Sequence, residues 1–439
     1  MGRPFQMIDG LVQMKQKLRI AIWHNLPSGG GKRALYDQVK GLSGRGHHVE
    51  VWCPPTADIQ FLPLGTLVPE HVVPLATMPP CPRGPVRRRR YFAQESGHLA
   101  ATLEEHCRRC GEQARSGGFD LLLAHPCQFF HTSPAAKHFG SPSLLYLQEP
   151  CRRLYEAMTE LPWKAPEPYE RVSWFKHWNM ALTDALKLHS KRVQVRQELA
   201  WAASYDQILS NSLFSRESII RSYNLDSRVC YLGIDADDFS PTDRPKEPFV
   251  IGVGNLSFNK RVLLAVKAVG AIPAGRRPRL VWVGNRADEG YLAELRDTAR
   301  RLGVDFVPKI LVSQDELRDL LGRAAVMIYT SHLEPFGYAP LEANACGTGV
   351  VAIAEGGIRE TVGHPASGVL VDGMDPAAFA GELLRFTDDL AFAKDFGLKA
   401  HDHVREHWSQ AAAIDRLEEN LSRVLQSGAD GKPAGGVTA

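Results

Sequence analysis

Short apolar runs that alternate with longer stretches of helical period predict an α/β protein, because a parallel sheet wrapped by helices needs that alternation. The pattern occurs in both halves of the 439-residue chain. The length exceeds one ordinary core, and a stretch rich in proline and charge separates the halves. Two domains of similar build, facing each other across a cleft, are the architecture these observations imply.

In the first half the strand candidates are 18–22, 49–52, 121–124, 144–147, 207–209 and 229–231. Between the first two, Leu35, Val39 and Leu42 recur at helical spacing before Gly44 and Gly46 end the helix. Residues 237–248 read as a linker, since Pro241, Pro245 and Pro248 fall among charges and no periodicity survives. In the second half the strands are 249–253, 280–283, 305–307, 326–329, 350–353 and 369–371. Leu292, Leu295, Ala299 and Leu302 share one helix face, and Ser313 with Glu316 forms a capping box for the next helix. After Pro376 the chain turns helical, and Ser409 caps a last helix carrying Ile414, Leu417, Leu421 and Val424 on one face. The expected divisions are an extension 1–17, a first domain 18–240, a second 241–407, a returning helix 408–426 and a disordered tail 427–439.

Apolar residues make up 44% and charged residues 23%, the balance of a globular protein, and a net charge of +3 excludes a general nucleic-acid binder. No run reaches the length of a membrane span, and the start lacks the pattern of a secretory signal. The cytoplasm is therefore the expected location. Eight cysteines are scattered, and the one close pair, Cys107 and Cys110, finds no second pair to complete a zinc site. Reduced thiols are expected.

The segment from Ser331 to Ala343 carries the most chemistry. Glu334 belongs to a loop after a strand, while Phe336 and Gly337 open a helix on which Glu342 rides about two turns in. The two carboxylates then stand about 10 Å apart along one edge of a cleft. That separation suits the two ends of a sugar nucleotide, since each carboxylate can accept from adjacent hydroxyls. The pyrophosphate between them would meet a helix N-terminus. Taken alone, the pair reads more readily as two surface glutamates beside a buried helix, and the surrounding residues overturn that reading.

Ligands of open α/β sheets bind beyond the carboxyl ends of the strands. The first strand is followed by His24-Asn25-Leu26-Pro27-Ser28-Gly29-Gly30-Gly31, where glycines at a helix start let backbone N–H groups approach a phosphate. A ligand-free flexible loop explains the same residues. His125, after the third strand, could donate to a hydroxyl, or is a satisfied loop histidine. Asn255, Lys260 and Arg261 follow the strand 249–253. A lysine there can neutralise a diphosphate, and a merely solvated cation is disfavoured at a helix N-terminus. Gly356 and Gly357 permit a ligand's close approach or only make a turn.

In order and spacing these blocks resemble the retaining glycosyltransferases of family four, which have the GT-B fold: two Rossmann-like parallel-sheet domains facing an interdomain cleft, with a C-terminal helix crossing back to the first. Glu334 through Glu342 is similar to that family's paired-glutamate motif. Gly356-Gly357-Ile358-Arg359-Glu360, Gly368 to Asp372, Asn211-Ser212, Gly233-Ile234-Asp235 with Phe239, and Trp408-Ser409 extend the likeness. It covers residues 18–425 and is weakest over 54–118 and 150–203.

The resemblance implies that Glu342 holds the ribose, Glu334 the hydroxyls of the donor sugar, Lys260 the diphosphate and His125 a sugar hydroxyl. The Gly29-Gly30 loop would reach the donor phosphate from the opposite domain. Asn255, Arg261, Phe336 and Gly337 complete the donor set, and Glu334, His125 and Lys260 are the catalytic candidates. Two departures stand out: Asn255 where the family usually has Arg, and Gly349 where Pro is common.

The function implied is transfer of a sugar from a nucleoside-diphosphate sugar to an acceptor hydroxyl with retention of configuration. The acceptor would be a glycan, lipid-linked or small-molecule compound. No cofactor and no catalytic metal are expected, because Asp235-Ala236-Asp237, the one acid-x-acid match, falls at the linker. A two-domain sugar-binding protein, a sugar-nucleotide epimerase or a phosphorylase are the competing readings. Arg83, Arg87-Arg88-Arg89-Arg90, Trp174, Phe175 and Trp178 raise the idea of peripheral contact with the inner face of a membrane, against a plain solvated basic helix and core aromatics.

Overall fold

The computed structural model describes residues 16–429 apart from 77, 79, 141, 156–172 and 237. Most of the expected extension 1–17, the segment 430–439 and Asp237 lie outside the described residues. The chain divides into two compact units. Unit 1 comprises Met1–Asn211, Ser215–Cys230 and Ile414–Ala439, and unit 2 comprises Ser212–Phe214 and Tyr231–Ala413.

Unit 1 holds strands β1 (Arg19–Asn25), β2 (His48–Cys53), β3 (Glu70–Val72), β4 (Leu121–Cys127), β5 (Ser143–Tyr146), β6 (Gln207–Ser210) and β7 (Arg228–Val229). They form one parallel sheet in the order β3-β2-β1-β4-β5-β6-β7. β1, β4 and β5 are almost wholly buried, as strands covered on both faces must be, and this is why they read as unbroken apolar runs. The helix Gly30–Gly44 turns Leu35, Val39 and Leu42 inward, as its period predicts.

Three features escaped the sequence pattern. β3 is only three residues long and polar at its start. The helices Pro85–Ala114 and Trp174–Ala202, which pack against each other, cover the regions where the likeness was weakest. Cys107 and Cys110 lie on the first of these and are buried in the apolar core beside Leu103. They behave there as small hydrophobes, with burial pushing both thiols up.

Unit 2 holds β8 (Glu247–Val253), β9 (Arg279–Gly284), β10 (Phe306–Ile310), β11 (Ala324–Tyr329), β12 (Val350–Ile353) and β13 (Gly368–Val371). This second parallel sheet runs β10-β9-β8-β11-β12-β13. The linker is shorter than expected, since Pro248 is already the second residue of β8. Only half of the predicted capping box forms. Ser313 Oγ accepts from the Glu316 N–H at 3.1 Å, but the Glu316 carboxylate turns to Lys309 at 2.7 Å.

The last helix, Gln410–Ala429, belongs mostly to unit 1 and overruns the expected boundary at 427. Ile414, Leu417, Leu421 and Val424 are buried. A Cβ at Gly41 would meet Ile414 at 2.4 Å, so glycine there is what lets the two helices touch. Arg45 clamps Asp415 and Glu418 at 2.5 and 2.6 Å.

Candidate active site

In both sheets the strand order reverses once: between β1 and β4 in unit 1, and between β8 and β11 in unit 2. Loops leaving adjacent strands diverge at such a point and open a crevice at their carboxyl ends. In unit 2 the two loops are those of Lys260 and Glu334.

Lys260 Nζ donates to Glu334 Oε2 at 2.6 Å, and Ser331 Oγ donates to the same oxygen at 2.6 Å. Backbone and hydroxyl bonds tie the loops together. The His332 N–H donates to the Asn259 carbonyl at 2.9 Å, and Thr330 Oγ1 to the carbonyls of Lys260 and Arg261 at 2.9 and 3.1 Å. Burial lowers the proton affinity of Lys260, yet the neighbouring Tyr329 and Glu334 outweigh it and hold the ammonium charged well above the usual lysine range. The lysine stem lies along Gly254, where a Cβ would stand 3.3 Å from it.

Arg261 and Leu333 hold left-handed backbone at φ 47° and 44°. Such conformations persist in larger residues only where the surroundings impose them. Here the Arg261 guanidinium is gripped by both oxygens of Glu355 at 2.8 Å and by His332. Nothing in the sequence pattern gives Glu355 a role. Its carboxyl, raised by burial, is brought below the usual range by Arg261, so Arg261 serves a fixed ion pair on the wall of the crevice.

The glycine pair does more than turn. A Cβ on Gly356 would meet the Glu334 carbonyl oxygen at 2.5 Å, and one on Gly357 the Pro335 carbonyl oxygen at 2.1 Å. Their role in this structure is loop against loop, with the Gly357 N–H donating to the Glu334 carbonyl at 2.8 Å. Gly337, at φ 100°, precedes the helix Tyr338–Ala345. Glu342 is that helix's fifth residue, about one turn in rather than two, and is only 5% exposed. Phe336 is buried against Tyr338 and Trp408, so its ring is part of the core. Asn255 is exposed at the start of the Lys260 loop.

Gly29, Gly30 and His125 belong to unit 1. Gly29, at φ 144° with no atom within 4 Å of a built Cβ, and Gly30 are exposed at the start of the helix Gly30–Gly44. His24, Asn25 and His125 are not loop residues as expected but lie inside β1 and β4 and are fully buried. His125 stacks on Tyr146 at 5.6 Å, and neither ring nitrogen finds a partner. Burial above all, then His24 and Lys32, pushes it down to about 3. His24 and Lys32 act on it, and beside them stand Cys53 and Glu70; the sequence pattern assigns no role to Lys32, Cys53 or Glu70. His24, Cys53 and Glu70 form the one group among the described residues whose donor atoms, all within 4.8 Å of one another, could hold a metal. The Lys32 ammonium, 4.0 Å from the Glu70 carboxylate, opposes a divalent cation there.

Residues 234–403 match the family model of the glycosyl transferases group 1. That segment is a group 1 glycosyltransferase domain. Both Lys260 and the Glu334–Glu342 stretch lie within it. Among curated relatives, D-inositol 3-phosphate glycosyltransferase 2 of Catenulispora acidiphila is 33% identical over 232 residues, covering 47% of this chain and 54% of the relative. The D-inositol 3-phosphate glycosyltransferase of Streptomyces avermitilis is 28% identical over 325 residues, covering 68% and 64%. The chain thus spans less than two thirds of these relatives.

Among solved structures, sucrose-phosphate synthase from Thermosynechococcus elongatus gives a TM-score of 0.65 at 18% identity, covering 93% of this chain and all of the other. Anabaena HepE in complex with UDP gives 0.63 at 19%, covering 92% and 100%. The group 1 domain and its unit 1 companion have the GT-B fold of these neighbours.

Proposed function

We propose that this chain moves a hexosyl group from a nucleoside-diphosphate sugar to an acceptor hydroxyl, with retention at the anomeric carbon. The observation that carries the reading is the Lys260–Glu334 pair at 2.6 Å across the switch point of the group 1 domain. Without ligand each group neutralises the other. A diphosphate would take Lys260 and free Glu334 to accept from sugar hydroxyls, so one exchange of partners binds both ends of the donor.

Lys260 then stabilises the leaving diphosphate, and Glu334 positions the sugar and faces the developing positive charge. Glu342 is assigned to the ribose, the Gly29-Gly30 loop to a phosphate and His125 to a sugar hydroxyl. That neighbours were solved with UDP, and relatives are named for a phosphorylated cyclitol, supports a nucleotide donor and a hydroxylated acceptor. The reading uses no cofactor and no catalytic metal.

Incubation with UDP-glucose and candidate acceptors, followed by NMR of the products, tests it. Free UDP with a new α-linked product supports transfer. Isomerised donor, a sugar phosphate, or binding without turnover would instead support an epimerase, a phosphorylase or a binding protein. Activity that falls with a chelator and returns with Mn²⁺ would contradict the metal-free assignment.

We also propose that the chain works in the cytoplasm, in peripheral contact with an anionic membrane face. All eight cysteines are free, as a reducing compartment favours. No helix among the described residues is long and apolar enough to cross a membrane. Trp174, Phe175 and Trp178 are exposed on the helix Trp174–Ala202, which packs on the helix whose first turns carry Arg87, Arg88 and Arg90. Aromatics beside arginines suit an anionic headgroup layer. Sedimentation with phosphatidylglycerol vesicles but not with pure phosphatidylcholine is expected. Equal recovery in the supernatant of both removes this part.

A further inference from the structure

The switch point of unit 1 holds a set of polar groups to which the donor assignment gives no task. Lys32 is fully buried, and its ammonium has no hydrogen-bond partner. Its nearest counter-charge is Glu70 Oε1 at 4.0 Å. His24 Nε2, also buried and unpartnered, lies 3.9 Å from the same oxygen. The Glu70 side chain is 9% exposed, so the set reaches solvent at that carboxylate. Glu70 is otherwise anchored by the Gly65 N–H, which donates to its second oxygen at 3.0 Å, and by the Cys53 thiol, 4.0 Å from its first.

The fold gains nothing by this arrangement. Lys32 stands in the first turn of the helix Gly30–Gly44, where the helix dipole opposes a cation. A buried ion pair offsets its desolvation only with close contact and with its remaining donors satisfied, and this pair has neither. Burial accordingly pushes Lys32 down from its ordinary value. Two unmet polar atoms beside one carboxylate are arranged for something that brings its own hydrogen bonds.

The chemistry of the set narrows that something. Burial holds His24 at about 4 and His125 at about 3, so both are neutral near pH 7 and the charges of Lys32 and Glu70 cancel. An anion offers only acceptors and would face the Glu70 carboxylate. A divalent cation would face the Lys32 ammonium. A hydroxyl both accepts and donates, and so answers a lysine and a glutamate side by side.

We propose that Lys32, Glu70 and His24 form a subsite for an uncharged polyol, one hydroxyl accepting from Lys32 Nζ and donating to Glu70, its neighbour bonding His24 Nε2. Resting on the transfer reading, the subsite makes these residues the selectors of the acceptor ring, and any phosphate on the acceptor binds elsewhere.

Saturation-transfer NMR on the full chain tests this with myo-inositol and methyl α-glucoside as uncharged probes and inorganic phosphate as the anionic one. At least one polyol should bind the wild type. Lys32→Met and Glu70→Gln should weaken it about tenfold, the loss of roughly one good polar contact. Phosphate binding and UDP affinity should stay unchanged in both variants. In turnover, the acceptor KM should rise about tenfold while kcat at saturation changes little, a split that a merely structural ion pair would not produce.

The proposal is overturned if neither polyol binds the wild type, if Lys32→Met binds the polyol as well as wild type, or if phosphate binding is what that variant loses. Glu70→Gln, at the solvent edge, keeps the test alive should Lys32→Met fail to fold. The polyol titrations contain no nucleotide, so a chain that binds polyols but not UDP would refute the donor assignment and leave this subsite standing.

Discussion

Gly357→Ala removes no functional group, yet the structure predicts that it disables unit 2's crevice. Gly357 has φ −70° and ψ −11°, which alanine adopts freely, so backbone strain plays no part. Its new Cβ would lie 2.1 Å from the Pro335 carbonyl oxygen and 2.7 Å from its carbon. Restoring ordinary contact requires the Glu334–Pro335 loop to retreat by roughly 1 Å, an overpacking cost of about 1–3 kcal/mol. That retreat stretches the Gly357 N–H bond to the Glu334 carbonyl, now 2.8 Å, and drags the carboxylate from its 2.6 Å contact with Lys260. Misplacement by about 1 Å can cost about 10²-fold in turnover. The assay is UDP release from UDP-glucose with acceptor, alongside a thermal melt. A fall of about 10² in kcat with a melt lowered by about 2–10 °C is expected. Gly381→Ala serves as the control, since nothing lies within 4 Å of its built Cβ and its helix should gain about 0.5–1 kcal/mol. Turnover by Gly357→Ala within threefold of wild type, at an unchanged melt, would refute the loop-on-loop account.

Lys260→Met should lower kcat by about 10²–10³ while the chain stays folded, checked by single-turnover kinetics and circular dichroism. Acidification should destabilise unit 1 through its buried neutral histidines. His24 and His125 sit at about 4 and 3 against an unfolded value of 6.5, so their contribution is complete above pH 6.5 and is lost as pH falls through those values. Each loses about 2.5 kcal/mol between pH 7 and 4.5, and His125→Phe should lose that much less in urea titrations across the same range. Glu198 runs the other way. Burial pushes it up to about 8 against the opposing bonds from Gln194 and Tyr223, so its contribution is full below the unfolded value of 4.5 and erodes as pH rises through 8. Wild type should lose about 1 kcal/mol from this group between pH 7 and 9, and Glu198→Gln should not, as denaturant midpoints will show.

The loops that carry Lys260 and Glu334 were legible because their information is local. Val326–Tyr329 reads as a strand, Glu334 follows within a few residues, and glycines mark the turns that bring neighbouring loops together. Lys260 was legible for the same reason, as a cation just beyond β8. What escaped were partnerships between distant positions. Arg261 and Glu355 are 94 residues apart, and no periodicity links them. Lys32 is one more polar residue at the start of a helix, and only the sheet order sets it beside Glu70 on the three-residue edge strand β3. His24 and His125 were read as loop residues, whereas tertiary burial carries both strands on through them. The helices Pro85–Ala114 and Trp174–Ala202 were missed because long polar faces dilute their apolar stripes.

A crystal structure of the chain with UDP-glucose tests the central claim most directly. The account predicts the diphosphate within salt-bridge distance of Lys260, Glu334 turned from the lysine to the sugar hydroxyls, and Glu342 on the ribose. A nucleotide bound away from the β8–β11 switch point, with the Lys260–Glu334 pair still closed, would contradict it.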